Sequence, residues 1–383
     1  MYEKGKDTEV DSVMEGRRED MSNHPKQGAK YQILMEHIRK DISEGRYKTG
    51  DKLMSENQLS AAYGFSRQTV RQALGILEQE GVLVRRRGSG TYIAGGRNPQ
   101  RTRTIGLIAT YITDYIFPAI IRGVEETLAA EGYHLSLGVT QNRVETEAQL
   151  LRSFIESGVD GLIVEGTKTA LPNPNIELYN KLQNMGVPCV FFNGFYQELP
   201  GSVYVVTDDR AAGYDAVKVL LGAGCTRLGG IFKSDDRQGH ERYAGFAKGL
   251  SQAGGVLNDD NVVWYSTGDK EDLFRGDMAH HVIQCLKHCD GVVCYNDQIA
   301  YGLIELLRNH GFHVPQEISV VGFDNASVSE YSPVKITTFE HPKEAMGRRV
   351  AEKIIRMVET GRQEPSDVMS MTLVEKESVA RLK

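Results

Sequence analysis

Apolar residues follow two different rhythms along this chain, and the change falls near Arg103. In residues 30–44 the apolar positions Tyr31, Leu34, Ile38 and Ile42 recur at helical spacing and predict a first amphipathic helix. Residues 54–62 predict a short second helix, with Ser55 placed to cap it and Gln58 to complete a capping box. A glycine turn, Tyr63-Gly64-Phe65, follows. Ser66 is a good N-cap for a third helix, whose buried stripe is Val70, Ala73, Leu74 and Leu77. Gly81 stops that helix. Residues 82–87 and 91–93 then read as two strands joined by Gly88-Ser89-Gly90.

After Arg103 short apolar runs alternate with amphipathic helices. Runs at 105–109, 161–164, 187–192, 228–232, 291–294 and 318–323 read as buried strands. Helices are predicted between them, among others at 118–130, 145–157, 210–222 and 300–309. Buried strands alternating with helices mean parallel sheets covered on both faces. A stretch of about 280 residues is more than one such sheet usually needs, so two lobes are expected. Gly222-Ala223-Gly224 follows a helix rather than a strand, and reads as a helix stop, not a cofactor loop.

The exposed face of the third helix carries Arg67, Gln68, Thr69 and Arg71. Arg binds phosphate or guanine in fork geometry, and Gln and Thr bond base edges or phosphate. Taken alone, such a face is equally that of an ordinary solvated helix. Its neighbours change the balance. Helix, glycine turn, helix is a helix-turn-helix pattern, whose second helix enters the major groove. The following hairpin makes a wing with a basic edge, and its glycines allow close approach to a groove wall.

From Tyr31 to Ile93 the chain closely resembles the winged helix-turn-helix head of the GntR regulator family. The resemblance rests on Tyr31-Gln32-Ile33-Leu34, Gly50-Asp51-Lys52-Leu53, Ser55-Glu56, residues 66–74, Leu77, Gly81 and Gly88-Ser89-Gly90-Thr91. It implies that Arg67, Arg71, Ser66, Gln68, Thr69, Asn57 and Gly88 touch DNA, with Arg87 beside the wing tip. Ser55, Ser89, Gly90 and Thr91 complete the expected DNA-binding set. Two positions depart from the family: Met54 stands where Pro is common, and Asn57 where Arg is common. The second weakens the phosphate contact expected there.

Charge and composition agree with two parts of different character. The 383 residues carry a net charge of −6, yet residues 30–95 hold eleven Lys and Arg against seven Asp and Glu, about +4. The remainder therefore carries about −10, which suits a DNA-facing end and a body that avoids nucleic acid. No apolar run approaches a membrane span, and the polar N-terminus does not read as a signal peptide. Five cysteines without a tight pair motif fit reduced thiols, so a cytoplasmic location is expected. His281, Cys285, His288 and Cys289 share one helical face. Buried thiols against a sheet are the expected reading and a zinc site the alternative. The expected organisation is a disordered extension at 1–28, the head at 29–95, a linker at 96–102 and the body at 103–383. The fold class is multidomain: an α+β winged helix-turn-helix plus a two-lobed α/β body.

The body resembles the LacI-type effector domain, itself similar to periplasmic sugar-binding proteins. Its signposts include Asp160-Gly161-Leu162-Ile163-Val164, Asp208-Asp209-Arg210-Ala211-Ala212-Gly213, Arg242-Tyr243-Ala244-Gly245-Phe246, Tyr295-Asn296-Asp297 and Gly322-Phe323-Asp324-Asn325. A GntR head on a LacI-type body, with the loop 165–175, resembles the arabinose repressor group.

Open parallel sheets bind ligands beyond the carboxyl ends of their strands. Those ends carry Tyr111, Tyr115 and Phe117, then Glu165, Asn193, Lys233, Tyr295, Asn296 and Asp324, with Arg242 on a following helix. Carboxylates suit neighbouring sugar hydroxyls, and aromatic rings suit the C–H face of a sugar. The LacI-type resemblance implies that Arg242, Asp324, Asn296 and Asn193 line the effector pocket. The narrower arabinose-group likeness adds Lys168 and Glu165. Asp208 reads as a helix cap rather than a ligand contact.

Together these readings predict a homodimeric transcriptional repressor, bound to a double-stranded DNA operator and released by a sugar, with L-arabinose as the effector the resemblance implies. No cofactor, no metal and no membrane contact are expected. A regulator answering another sugar or a purine-type co-repressor is the alternative. An enzyme with a GntR head is disfavoured, because neither a Schiff-base lysine nor a cofactor-phosphate loop stands in a recognisable context.

Overall fold

The computed structural model describes residues 30–48, 50–86, 89–93, 101–113 and 115–380. The expected extension at 1–28, the wing-tip residues Arg87 and Gly88, and most of the linker lie outside these described residues. The chain divides into two units, described separately below, which adjoin along the chain at Arg101 and Thr102.

In the head, α1 (Lys30–Ser43), α2 (Glu56–Tyr63) and α3 (Arg67–Gln79) precede the antiparallel strands β1 (Leu83–Arg86) and β2 (Gly90–Ile93). The stripe Val70, Ala73, Leu74 and Leu77 is wholly buried, against Leu34, Ile38 and Leu59. Both predicted caps form. Ser55 Oγ accepts from the Gln58 amide, and the Gln58 side chain accepts from the Ser55 amide at 2.9 Å. Ser66 Oγ accepts from the Thr69 amide at 3.2 Å. Gly64 ends α2 with φ +65, the left-handed geometry that lets the chain turn directly into α3.

The body holds two six-stranded sheets. The first lobe's sheet is built from β3 (Thr104–Ala109), β4 (His134–Val139), β5 (Gly161–Val164), β6 (Cys189–Phe192), β7 (Val203–Thr207) and β13 (Asp367–Met369). Its order is β13-β7-β6-β5-β3-β4 and all its pairings are parallel. The second lobe's sheet has β8 (Leu228–Lys233), β9 (Val262–Tyr265), β10 (Gly291–Cys294), β11 (Ser319–Asp324), β12 (Thr337–Glu340) and β14 (Thr372–Val374), in the order β14-β12-β11-β10-β8-β9. Only β14 runs antiparallel to its neighbour in that sheet. The helices are α4 (Phe117–Ala130), α5 (Val144–Ser157), α6 (Ile176–Asn184), α7 (Asp209–Gly222), α8 (Arg237–Gln252), α9 (Gly276–Leu286), α10 (Asp297–Asn309), α11 (Val328–Tyr331) and α12 (Lys343–Thr360).

The chain passes between the lobes three times. It leaves β7 for α7 at Asp208, leaves β12 for α12 at His341 and Pro342, and leaves β13 for β14 at Ser370 and Met371. These passages are the points about which the lobes can turn. On the first lobe, α4 and α12 touch backbone to backbone. A Cβ on Gly347 would lie 2.1 Å from the Ile120 carbonyl oxygen, and one on Gly123 2.4 Å from that of Glu344. Gly347→Ala is therefore expected to cost about 1–3 kcal/mol, read as a lower Tm in thermal unfolding, because two backbones must separate.

Candidate functional site

In the head, the candidate DNA face is the exposed side of α3 with the wing beside it. Arg67 and Gln68 are exposed, and their side chains make no hydrogen bond or ion pair with any other described residue. Arg71 is two-thirds exposed and donates Nε to Glu56 Oε2 at 2.7 Å, while Arg85 reaches Glu56 at 3.5 Å and Glu78 at 3.3 Å. Asn57 is exposed on the first turn of α2. Ser55 and Ser66 are occupied as helix caps, and the hydroxyls of Ser66 and Thr69 lie 2.8 Å apart. On the wing, the Ser89 hydroxyl bonds Tyr92, and Gly90 and Thr91 open β2. A side chain at Gly90 would strike Lys52 Cε at 2.8 Å. Arg87 and Gly88 lie outside the described residues.

In the body, a cavity of about 360 Å³ opens where the carboxyl ends of the two sheets face each other. That size is at the small end of ligand pockets, which run to about 1,000 Å³. Of the expected effector residues, Tyr111, Tyr115, Phe117, Glu165, Asn193, Lys233, Tyr295, Asn296 and Asp324 line it. Tyr115, Asn142, Asn193 and Asp324 all have positive φ, and all four lie on its wall. Such backbone is costly for residues other than glycine and gathers at functional sites.

Two expected residues do not line the cavity. Arg242 is 1% exposed and sits behind the wall. Its Nε donates to Asp209 at 2.8 Å, its Nη2 to Asp324 at 3.1 Å and its Nη1 to the Tyr295 carbonyl, and its face lies over the Phe323 ring at 4.5 Å. It is a buried post that fixes Asp324. Asp209 completes that post, although in the sequence, beside Asp208, it reads only as a helix start. Asp208 does cap α7, accepting from the Ala211 amide at 2.9 Å. Lys168 has φ +47, and its amide donates to Asn142 Oδ1 at 2.9 Å. This turn brings its neighbours Gly166 and Thr169 to the wall instead.

The loop that carries Lys168 is pinned from below by Glu147. This carboxylate is fully buried and accepts from Tyr179 at 2.9 Å, Tyr196 at 2.5 Å, and Asn173 and Asn175 at 2.8 Å each. Glu147→Leu is expected to strand those four donors in the core at a cost of about 3–5 kcal/mol, which chemical denaturation would register.

The electrostatics of the cavity are acidic. Glu165, Asp236, Glu271 and Asp324 face Lys233 and Lys270. Glu165 accepts from the Thr110 amide at 2.7 Å and hydroxyl at 2.5 Å, and from Asn193 Nδ2 at 2.9 Å. Burial raises its pKa, against those hydrogen bonds. Burial would lower the pKa of Lys233, but Asp236 and Asp235 together hold it raised. Asp236 takes Lys233 Nζ at 2.6 Å and the Tyr295 hydroxyl at 3.1 Å. Contacts across the cleft hold the lobes together: Tyr115 to Asp324 at 2.5 Å, Asn142 to Thr267 at 2.6 Å, and the Arg237 amide to Thr169 at 3.0 Å. Asn142, Asp236, Thr267 and Lys270 line the cavity without having been foreseen. The chemistry fits a small neutral molecule rich in hydroxyls, whose donors meet carboxylates and whose C–H face meets the Tyr111, Phe117 and Tyr295 rings.

The cysteine-rich face separates as α9 ends. The helix stops at Leu286, so His288 and Cys289 leave the face on which Cys285 lies 3.7 Å from His281. Among the described residues no group of three or more His, Cys, Asp or Glu is placed to hold a metal. Burial pushes the thiols of Cys189 and Cys289 up to about 12. None of the described helices is long and apolar enough to cross a membrane.

A groove-reading winged helix joined to a two-lobed ligand clamp defines a ligand-responsive transcriptional regulator. Residues 30–93 match the model of bacterial regulatory proteins of the gntR family, and residues 217–379 that of the periplasmic binding protein-like domain. The arabinose metabolism transcriptional repressor of Halalkalibacterium halodurans is 39% identical over 344 residues, covering 88% of this chain and 91% of that protein. The repressor of the same name from Geobacillus stearothermophilus is 39% identical over 334 residues, covering 86% and 91%. The chain belongs to the family of these two repressors. In fold it is similar to the transcriptional regulator CelR in its cellobiose complex, at a TM-score of 0.65 and 23% identity over 82% of this chain and 90% of that one.

Proposed function

We propose that the chain is a cytoplasmic, homodimeric repressor released from its operator by L-arabinose. The observation that carries the sugar reading is the wall of the cavity: carboxylates at several strand ends, opposed by aromatic rings. A sugar hydroxyl always has a proton to donate, and Glu165, Asp236 and Asp324 are acceptors. A purine carries its few N–H donors in one plane, whereas carboxylates spread around the wall match hydroxyls that point in several directions. The names of the 39%-identical relatives point to arabinose among sugars. The head supports a dimer, since one winged helix reads only a short half-site and a palindromic operator would need two. Ser55, Asn57, Ser66, Arg67, Gln68, Thr69 and Arg71 with the wing form the proposed DNA contact. Calorimetric titration with L-arabinose, D-xylose, D-ribose and nucleobases tests the effector. Saturable binding of L-arabinose in preference to the others supports the reading, and preferential binding of a nucleobase overturns it.

A further inference from the structure

His341 has no part in the roles above. It lies on the second passage between the lobes, between β12 and α12, and is fully buried. Its Nε2 is 3.1 Å from Asn193 Oδ1. The direction of that bond follows from Asn193's other end. Asn193 Nδ2 donates to Glu165 Oε1, so Oδ1 faces His341 as an acceptor and the imidazole proton sits on Nε2. Nδ1 is then an acceptor, and it is buried without a hydrogen-bond partner. Thr110, Glu165 and Asn193 line the cavity and His341 does not. A directed chain of hydrogen bonds therefore runs from the cavity wall to a point about which the lobes turn. A buried polar ring is costly where an apolar one would fill the space, unless its hydrogen bond is used.

We propose that His341 is a positioning residue for the effector site: its Nε2–H fixes the Asn193 amide in the orientation that supports Glu165, and so couples sugar capture to closure of the lobes. The inference rests on the sugar-binding reading above. Closure also keeps the ring neutral. Burial, with Lys343 on α12 and Arg242 on α8, holds its pKa down at about 4, against Asp324 at the end of β11 and Glu340 on β12. A second proton would sit on Nδ1 with no acceptor. Opening parts His341 from Asn193 and returns its pKa towards 6.5. Protons then compete with closure: sugar affinity is complete above about pH 6.5 and falls as the pH drops towards 4.

The test compares the full-length wild type with His341→Gln, whose amide can still donate, and His341→Leu, which cannot. Titration with L-arabinose at pH 8 is expected to show His341→Gln within roughly threefold of wild type and His341→Leu weaker by roughly tenfold or more. Between pH 8 and 5.5 the wild-type Kd is expected to rise about tenfold, and that of His341→Gln to stay level. Histidine-selective NMR of the wild type, assigned by the signal missing in His341→Gln, is recorded with L-arabinose absent and at saturation. A neutral Nε2–H imidazole that persists below pH 5 at saturation, with a sugar-free signal that titrates nearer 6.5, supports the proposal. Wild-type affinity in His341→Leu, or a His341 signal that titrates at the same pH with and without bound sugar, overturns it. A wild type that binds no L-arabinose, but whose His341 signal another bound sugar holds neutral, removes the arabinose reading and leaves the positioning role supported.

Discussion

Replacing Arg71 by Ala is expected to weaken operator binding by roughly 5- to 150-fold and to relax specificity at one base pair. The magnitude follows from about 1–3 kcal/mol for an arginine that reads guanine bidentately. The geometry supports the choice. Glu56 takes only the Nε of Arg71, and the side chain is two-thirds exposed, leaving both Nη groups for a base or phosphate. Arg67→Ala is expected to act similarly, and as a phosphate contact it should also lower the salt slope by about one. Lys233→Ala, in the body's cavity, should leave operator affinity in the absence of sugar unchanged. Fluorescence anisotropy with operator and scrambled DNA at several salt concentrations measures all three. Two arginine variants that bind as wild type would remove α3 from the groove.

The second large effect belongs to the cavity. Glu165→Ala is expected to raise the sugar Kd by roughly 10- to 150-fold, the equivalent of about 1.5–3 kcal/mol for a hydrogen bond to a charged group. The fold should survive, because Glu165's partners Thr110 and Asn193 lie on a cavity wall that water can reach. Asp324→Ala is a less clean probe. It takes one of two carboxylates from the fully buried Arg242 and leaves Asp209 to pair it, so a stability loss of about 1.5–3 kcal/mol would accompany any loss of sugar. Operator binding by Glu165→Ala without sugar should equal wild type, and its release by sugar should need proportionately more. Release at the wild-type concentration would exclude Glu165 from the effector contact.

The head was legible almost residue by residue because everything that specifies it is local. Ser55 with Gln58, Ser66, Gly64 and the stripe from Val70 to Leu77 lie within one or two helical turns of the structure they set. In the body six apolar runs were readable as strands and six strands were not: β7 alternates buried and half-buried residues, and β12 carries the polar Thr337, Thr338 and Glu340. β4 places exposed or half-buried His134, Ser136 and Leu137 among its residues, and β9 exposes Trp264, so neither reads as a buried run. β13 and β14 are three residues long and gain their strand character from distant neighbours.

The candidate site was readable where it sits at the end of a visible strand. It was not readable where lobe closure brings residues in: Thr267 and Lys270 follow the unrecognised β9, and Asn142 reaches Thr267 across the cleft. Arg242 shows a different limit. Sequence pattern names the residue, but only packing reveals that Asp209 and Asp324 hold it behind the wall. His341 carries no local signal, since its partner Asn193 lies 148 positions away.

In the proposed function, sugar capture by the body decides whether the head stays on DNA. The most direct measurement is a titration of L-arabinose into the preformed complex of full-length protein and operator, at fixed salt, followed by anisotropy. Saturable release of operator is expected, with 5- to 150-fold weaker DNA affinity for the sugar-bound protein, about 1–3 kcal/mol of coupling, and an equal weakening of sugar binding by operator. Operator that stays bound at sugar concentrations shown by calorimetry to fill the cavity would contradict it.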